Sequence, residues 1–107
     1  MQPVILQMAE EYKKNLKEIY GKDMKELILY GSYSRGDYKE ESDIDFAIVL
    51  RDQFTYPAGE IPKIAAISSR LSLKYGVMIS TLPVSFRKKQ TSLQGVFQEI
   101  RKDGIII

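Results

Sequence analysis

The sequence contains no cysteine and no histidine. Without cysteine it has neither disulfides nor thiolate metal sites, which is compatible with a reducing compartment. Without histidine it has no His-ligated zinc, no His-dependent nucleophilic triad and no histidine general base. Any chemistry must therefore rest on carboxylates, hydroxyls, lysine and arginine.

The chain also lacks a strong charge bias and a long apolar run. Its 16 basic and 14 acidic residues give a formal net charge of +2, which by itself indicates neither a nucleic-acid nor a membrane surface. No stretch approaches the ~18 consecutive apolar residues of a transmembrane helix, and the N-terminus lacks a signal-peptide pattern. We expect a soluble, cytoplasmic protein that makes no membrane contact.

The 107 residues, 44% of them hydrophobic, suffice for one compact core, so we expect a single domain over residues 1–107. Apolar spacing predicts helices at residues 3–20, 60–75 and 92–102. Apolar and alternating runs predict strands at residues 27–30, 43–50, 77–82 and, as a short terminal strand, 105–107. The order indicates an α/β (α+β) fold, in which helices pack on one small mixed β-sheet.

Basic residues cluster in the last quarter of the chain. Arg87, Lys88 and Lys89 are consecutive, at a predicted loop, and Arg101 and Lys102 follow on the last predicted helix. A cation run without interleaved aromatic residues usually forms a solvated surface. We therefore do not expect direct nucleic-acid binding.

Two carboxylates stand at the start of the second predicted strand. Asp43 and Asp45 are two residues apart, so their side chains point to the same face of a strand. Taken singly, Asp43 fits a turn or cap and Asp45 a sheet margin. Taken together, the two carboxylates repel each other near a buried strand unless a cation compensates their charge. Magnesium is such a cation, because it prefers oxygen ligands. The pair predicts a magnesium site.

Gly31 and Ser32 follow the first predicted strand. Glycine permits close backbone approach, and the serine hydroxyl with nearby N–H groups can bind phosphate oxygens. The loop is not a Walker A motif, because Asp37 and Tyr38 stand where that motif requires Lys and then Ser or Thr. A phosphate loop facing a carboxylate pair provides the charge neutralisation and positioning that phosphoryl or nucleotidyl transfer requires.

The combined pattern resembles that of the minimal nucleotidyltransferases of the DNA polymerase β superfamily. Their motif of Gly-Ser, ten residues and then Asp-x-Asp is met by Gly31, Ser32, Asp43 and Asp45. The predicted order of elements is similar over nearly the whole chain. The resemblance implies a polymerase β-like palm fold and transfer of a nucleoside monophosphate from a nucleoside triphosphate, with Mg²⁺ as cofactor and ATP as substrate.

The resemblance also implies roles for individual residues. Asp43 and Asp45 would be the catalytic magnesium ligands, and Gly31 and Ser32 would bind the triphosphate. Arg35 would neutralise a phosphate oxygen, although a loop arginine is as often simply solvated.

One position departs from the family pattern. The superfamily commonly carries a third carboxylate on a later strand, and the corresponding residues 76–82 contain no acid. Ser80 aligns with that position, and a hydroxyl is a weak magnesium ligand and a poor base. Three outcomes stay open: catalysis is slow or lost, Asp37 or Glu41 substitutes, or the acceptor brings its own base.

The chain lacks the additional domains with which larger nucleotidyltransferases hold their acceptors. Such minimal proteins resemble the antitoxins of toxin–antitoxin modules, whose partner is a helical HEPN-domain ribonuclease. The resemblance implies an antitoxin that binds its HEPN toxin and neutralises it by AMPylation, with AMP transferred from ATP to a toxin tyrosine. Two alternatives remain: a catalytically silent, nucleotide-binding antitoxin that acts by binding alone, and a nucleotidyltransferase with a small-molecule acceptor.

Overall fold

The computed structural model describes residues 2–107. Its helices and strands alternate as far as β3, after which two helices precede the last strand, and two 3-10 turns lie at Gly21–Asp23 and Pro57–Glu60. In chain order the elements are α1 (Pro3–Tyr20), β1 (Met24–Tyr30), α2 (Ser32–Arg35), β2 (Ile44–Leu50), α3 (Ile61–Tyr75), β3 (Ile79–Ser85), α4 (Phe86–Thr91), α5 (Gly95–Asp103) and β4 (Ile105–Ile106).

The strands form one mixed sheet in the order β3-β2-β1-β4. Strand β1 runs antiparallel to both β2 and β4, whereas β2 and β3 are parallel. Parallel neighbours require a crossover, which α3 provides between β2 and β3. The predicted small mixed sheet with packed helices is therefore confirmed, and β2 is an interior strand.

The sheet separates two apolar clusters. The larger cluster lies between the sheet and helices α1 and α3, and it includes Tyr12 and Phe46, whose rings meet edge to face at 5.2 Å between centroids. The smaller cluster lies on the opposite face, where α5 contributes Phe97 and Ile100. Because side chains alternate along a strand, Asp45 shares the α5 face with the next odd-numbered positions of β2.

Helix α1 has the predicted bounds. Its buried residues recur at helical spacing, Pro3 occupies the first turn, and Gly21 follows the last turn with a φ of 53°. The predicted first strand begins earlier than expected, at Met24 rather than Leu27. No helix in the part of the chain that the structure describes, α1 included, is long and apolar enough to cross a membrane.

Strand β3 differs from the prediction at both ends. It was expected at residues 77–82, ending before Pro83, but it begins at Ile79 and continues through Pro83 to Ser85. Pro83 is paired with Ile48 of β2, and β3 is an edge strand. An edge strand tolerates proline because one of its sides needs no ladder hydrogen bonds.

The loop predicted around Arg87 is wrong, since residues 86–91 form helix α4. The Ser85 hydroxyl caps this helix by accepting a hydrogen bond from Lys88 N–H at 3.2 Å. The Nζ of Lys89 lies 3.2 Å from Glu26 Oε1, so this cation is partly buried in an ion pair. Phe86 is the only hydrophobic residue of α4, so no apolar periodicity could reveal the helix.

Candidate active site

Three polar side chains lie side by side across three neighbouring strands. Asp45 of β2 is paired with Tyr30 of β1 and with Ser80 of β3. Directly paired residues project to the same face of a sheet, so the three form one row on the α5 face. Further along that face the positions become apolar, beginning with Ile28 and Ala47. The polar row therefore lies at the edge of the smaller core.

The two predicted carboxylates flank a buried residue at the start of β2. Ile44 is fully buried on the opposite face, and its N–H donates to Met78 O at 2.8 Å. Asp43 stands one residue outside the strand and is exposed, whereas Asp45 is half-buried. The charge of Asp43 acts on the Asp45 carboxylate, so the two carboxylates lie within electrostatic reach of each other.

Gly31 lies directly against the Asp45 carboxylate. Its φ of 75° and ψ of −153° fall in a region that is essentially restricted to glycine. A Cβ at this position would stand 2.5 Å from Asp45 Oδ2. The absence of a side chain thus allows the turn after β1 and the carboxylate of β2 to be in contact, which joins the two halves of the sequence motif.

Ser32 begins the short helical turn α2, within the segment predicted as loop. The N–H groups of Ser34 and Arg35 donate to Gly31 O, at 3.1 and 3.2 Å, and the Ser34 hydroxyl donates to the same oxygen at 2.8 Å. The amides of Ser32 and Tyr33 come before these bonded groups in the chain. The first N–H groups of a helical turn have no carbonyl partner within the turn, and such groups attract anions. The geometry suits a phosphate-binding turn beside Asp45.

Negative charge accumulates on the polar row. Burial raises the pKa of Asp45, the charges of Asp43 and Glu99 raise it further, and Arg35 opposes them. Burial, together with the charges of Asp45 and Glu99, raises the pKa of Tyr30 to about 12. A bound cation would relieve this repulsion.

Arg35 connects α2 to helix α5. Its Nε lies 3.2 Å from Asp37 Oδ2, and its Nη1 donates to Glu99 Oε1. Sequence reasoning missed Glu99, because only the packing of α5 brings it to residues far away in the chain. Of the two acids considered as substitutes for a third carboxylate, Asp37 is bound to Arg35 and Glu41 is exposed.

A groove of about 450 Å³ lies on the β3 side of the molecule, next to the segment that precedes β2. One wall is the acidic segment from Glu40 to Ser42, and the other comes from the end of α3 and the residues before β3. Leu73 and Met78 on that second wall are 86% and 66% exposed. Ser42 and Met78 both line the groove, and Met78 O accepts from Ile44 N–H, so the groove borders the start of β2 without being lined by Asp43 or Asp45.

The residues of this site fit a magnesium ion. Within residues 2–107, no group of three or more His, Cys, Asp or Glu side chains is placed to hold a metal ion. Magnesium in proteins is usually bound by one or two carboxylates, with water and substrate phosphates completing the octahedron. Asp43 and Asp45 match that donor set, and among residues 2–107 Arg35 is the cation that opposes the raised pKa of Asp45.

Residues 9–103 match the family model described as nucleotidyltransferase domain. The chain belongs to this nucleotidyltransferase family. Its relatives include Putative protein adenylyltransferase MJ0141 of Methanocaldococcus jannaschii, which is 42% identical over 101 residues that cover 94% of this chain and 96% of the relative. A second protein of that organism, Putative protein adenylyltransferase MJ0604, is 42% identical over 83 residues that cover 75% of this chain and 76% of the relative.

Solved structures share the fold of this nucleotidyltransferase. A protein described as a putative minimal nucleotidyltransferase has a TM-score of 0.62 at 18% identity, over 100% of this chain and 97% of that chain. A toxin–antitoxin structure with AMP-PNP has a TM-score of 0.58 at 17% identity, over 91% of this chain and 70% of that chain. The predicted nucleotidyltransferase fold is thus confirmed.

Proposed function

We propose that this nucleotidyltransferase is a magnesium-dependent protein adenylyltransferase, which transfers AMP from ATP to a tyrosine hydroxyl of a partner protein. The observation that carries the proposal is the contact between Gly31 and the Asp45 carboxylate. With magnesium on Asp45, this contact would hold the metal next to the turn that we assign to phosphate binding. Relatives named as protein adenylyltransferases support the choice of AMP and of a protein acceptor.

The roles of the residues follow from their positions. Asp43 and Asp45 would hold magnesium, while the Ser32 hydroxyl and the first amides of α2 would bind the β- and γ-phosphates. Magnesium, when bound, neutralises charge on the phosphate oxygens. The acceptor oxygen forms a bond to the α-phosphorus, the bond from that phosphorus to the α–β bridging oxygen breaks, and pyrophosphate leaves with the electron pair.

The acceptor must lose its proton without help from a carboxylate at Ser80. This hydroxyl is paired with Asp45, at the place where the family pattern has an acid, and it is a poor base. A phenol has a pKa of about 10 and ionises more readily than an alcohol, so it depends less on a base. The missing acid therefore favours a tyrosine acceptor, whose proton passes to water or to a group of the acceptor protein.

The partner that we propose is a HEPN-domain toxin, which the adenylyltransferase neutralises as an antitoxin. The similarity of fold to a toxin–antitoxin structure with AMP-PNP supports this assignment. The groove at the start of β2 supports it as well, because exposed Leu73 and Met78 offer apolar surface to a protein partner.

Ser80 also favours a second candidate function. A site without the third acid would bind nucleotide but transfer it too slowly to matter, and the protein would then neutralise its partner by binding alone. Both candidates need the same fold, the same groove and the same partner. They differ only in whether the partner becomes covalently modified.

The test is incubation of the purified protein with α-labelled ATP, Mg²⁺ and the product of the neighbouring gene. We expect label on that product with the wild type and none with the double variant Asp43→Asn/Asp45→Asn. Asp103→Asn, an acid at the end of α5, serves as matched control and should transfer normally. A tight complex without label would favour the second candidate, an antitoxin that acts by binding alone. Label that appears only on an added aminoglycoside or nucleotide would indicate a small-molecule acceptor.

A further inference from the structure

Arg35 is held by carboxylates on two sides while part of its guanidinium stays free. Asp37 accepts from Nε at 3.2 Å, and Glu99 accepts from Nη1. Nη2 has no hydrogen-bond partner among the residues that the structure describes. A guanidinium is a planar fork with five N–H donors, so fixing two of its nitrogens also fixes the direction of the third.

Glu99 belongs to a rigid element rather than to the loop. It stands between Phe97 and Ile100, which bury α5 against the sheet, and its own side chain is 35% exposed. Asp37, in contrast, lies in the same loop as Arg35 and is 61% exposed. Glu99 is therefore the partner that can tie the guanidinium to the body of the protein.

The ion pair contributes little to folding. Both side chains are more than one-third exposed, and ion pairs between exposed side chains stabilise a fold only weakly. The position of the ion pair indicates a role beyond folding, because the charges of Arg35 and Glu99 both act on the Asp45 carboxylate. The pair stands within electrostatic reach of the carboxylates that would hold the metal.

We infer that Glu99 is a positioning residue for nucleotide binding, which acts through Arg35 by orienting the guanidinium so that its free Nη2 edge meets a phosphate oxygen. The inference rests on the proposed binding of a nucleoside triphosphate at this site. It gives α5 a part in substrate binding that no local sequence motif indicates. Glu99 itself touches neither the nucleotide nor the metal.

The test is titration of the purified protein with Mg²⁺ and AMP-PNP, followed by calorimetry, for Glu99→Ala, Arg35→Ala and the double variant. We expect Glu99→Ala to weaken binding about tenfold, the scale on which supporting residues act at metal sites. The double variant should bind no more weakly than Arg35→Ala alone, because Glu99 has nothing to orient once the arginine is absent.

Two further variants separate positioning from general damage. Glu99→Gln keeps an oxygen that accepts from Nη1 and should restore most of the affinity. Asp103→Ala, one helical turn further along α5, should bind like the wild type. In transfer assays Glu99→Ala should raise KM for ATP and leave kcat at saturating ATP nearly unchanged. Loss of folded protein would instead lower the apparent kcat and leave KM unchanged.

Three results would overturn the inference. Unchanged affinity in Glu99→Ala would remove its role, and tighter binding would show that Glu99 competes with phosphate for Arg35. An effect of Glu99→Ala that persists in the Arg35→Ala background would mean that it acts by another route. If the wild type itself does not bind the nucleotide, the proposed function and the inference fall together, whereas normal wild-type binding confines any failure to the inference.

Discussion

Gly31 combines a backbone conformation that other residues avoid with a position that leaves no room for a side chain. At Gly31 the glycine-only conformation starts the turn that we propose to bind phosphate, and the missing Cβ admits the Asp45 carboxylate. The same position therefore supports the fold and the proposed chemistry.

We predict that Gly31→Ala loses both stability and transfer. The backbone strain costs about 1–3 kcal/mol, and the collision with Asp45 adds about 1–3 kcal/mol of overpacking. Gly76→Ala is the control, because Gly76 also has positive φ but open space around it, so only about 1–2 kcal/mol is lost. Urea unfolding measures both, and equal losses in the two variants would contradict the contact with Asp45.

Asp45 makes the stability of the metal-free protein depend on pH. Its pKa is raised in the folded state, mainly by burial, so the folded protein holds this proton more tightly than the unfolded chain. The stabilisation from protonated Asp45 is fully present below its ordinary pKa of about 3.9 and is lost as pH rises through the raised value.

We predict that Asp45→Asn removes the loss of folding stability that accompanies ionisation of Asp45. In chelator-treated protein at pH 7 the variant should be at least as stable as the wild type, while transfer falls by more than about 100-fold because a proposed metal ligand is missing. Unfolding of both proteins across pH 3–7 provides the measurement. A variant that is clearly less stable at pH 7 would show that Asp45 has a structural role instead.

At the level of elements, long periodic segments were predictable and short polar ones were not. Helix α1 has its predicted bounds because eighteen residues give the apolar period several turns in which to appear. Helix α4 was missed because six residues with one hydrophobic side chain carry no period. Strand β3 was cut short at Pro83, since tolerance of proline depends on the strand's place at the sheet edge, which is a tertiary property.

The same division applies to the candidate site. Gly31, Asp43 and Asp45 could be located from the sequence because the spacing that defines them spans a short segment. The placement of Ser80 beside Asp45 came from a family pattern, and the strand register puts it there. Tyr30 and Glu99 could not be found, because only strand pairing and the packing of α5 bring them to the site.

Helix α4 depends on its cap, so we predict that Ser85→Ala destabilises the protein by about 1 kcal/mol. The change removes the oxygen that accepts from Lys88 N–H. Ser85→Asn should restore the stability, since asparagine is an equally good cap without adding charge next to Asp52, which accepts from Arg87 N–H. Thermal unfolding distinguishes the variants, and an unaffected Ser85→Ala would show that α4 is held by packing alone.

At the scale of the whole molecule, two apolar layers fix the sheet and leave the polar row at the margin of one of them. Helices α1 and α3 cover one face completely enough to bury Ile44 and Phe46, whereas α5 leaves Asp45 half-buried on the other. The site is therefore built on the central strand of a packed sheet, but it remains open to substrate. A ligand that binds only the folded protein stabilises the folded state.

We predict that magnesium and ATP together stabilise the folded protein. At a free ligand concentration of 100 times Kd, the free energy of unfolding should rise by about 2.7 kcal/mol. Removal of Mg²⁺ with a chelator should abolish most of this gain, and Asp43→Asn/Asp45→Asn should show none. Differential scanning calorimetry is the measurement, and equal stabilisation of the double variant would place the nucleotide elsewhere.

The most direct test of nucleotidyl transfer compares ATP labelled at the α-phosphate with ATP labelled at the γ-phosphate. Each is incubated with Mg²⁺, the wild-type protein and the product of the neighbouring gene, and the label on protein is counted. We expect that α-label remains on that product while γ-label appears only in released pyrophosphate. Label from the γ-phosphate on the product would indicate phosphoryl transfer and contradict nucleotidyl transfer, as would the absence of both labels.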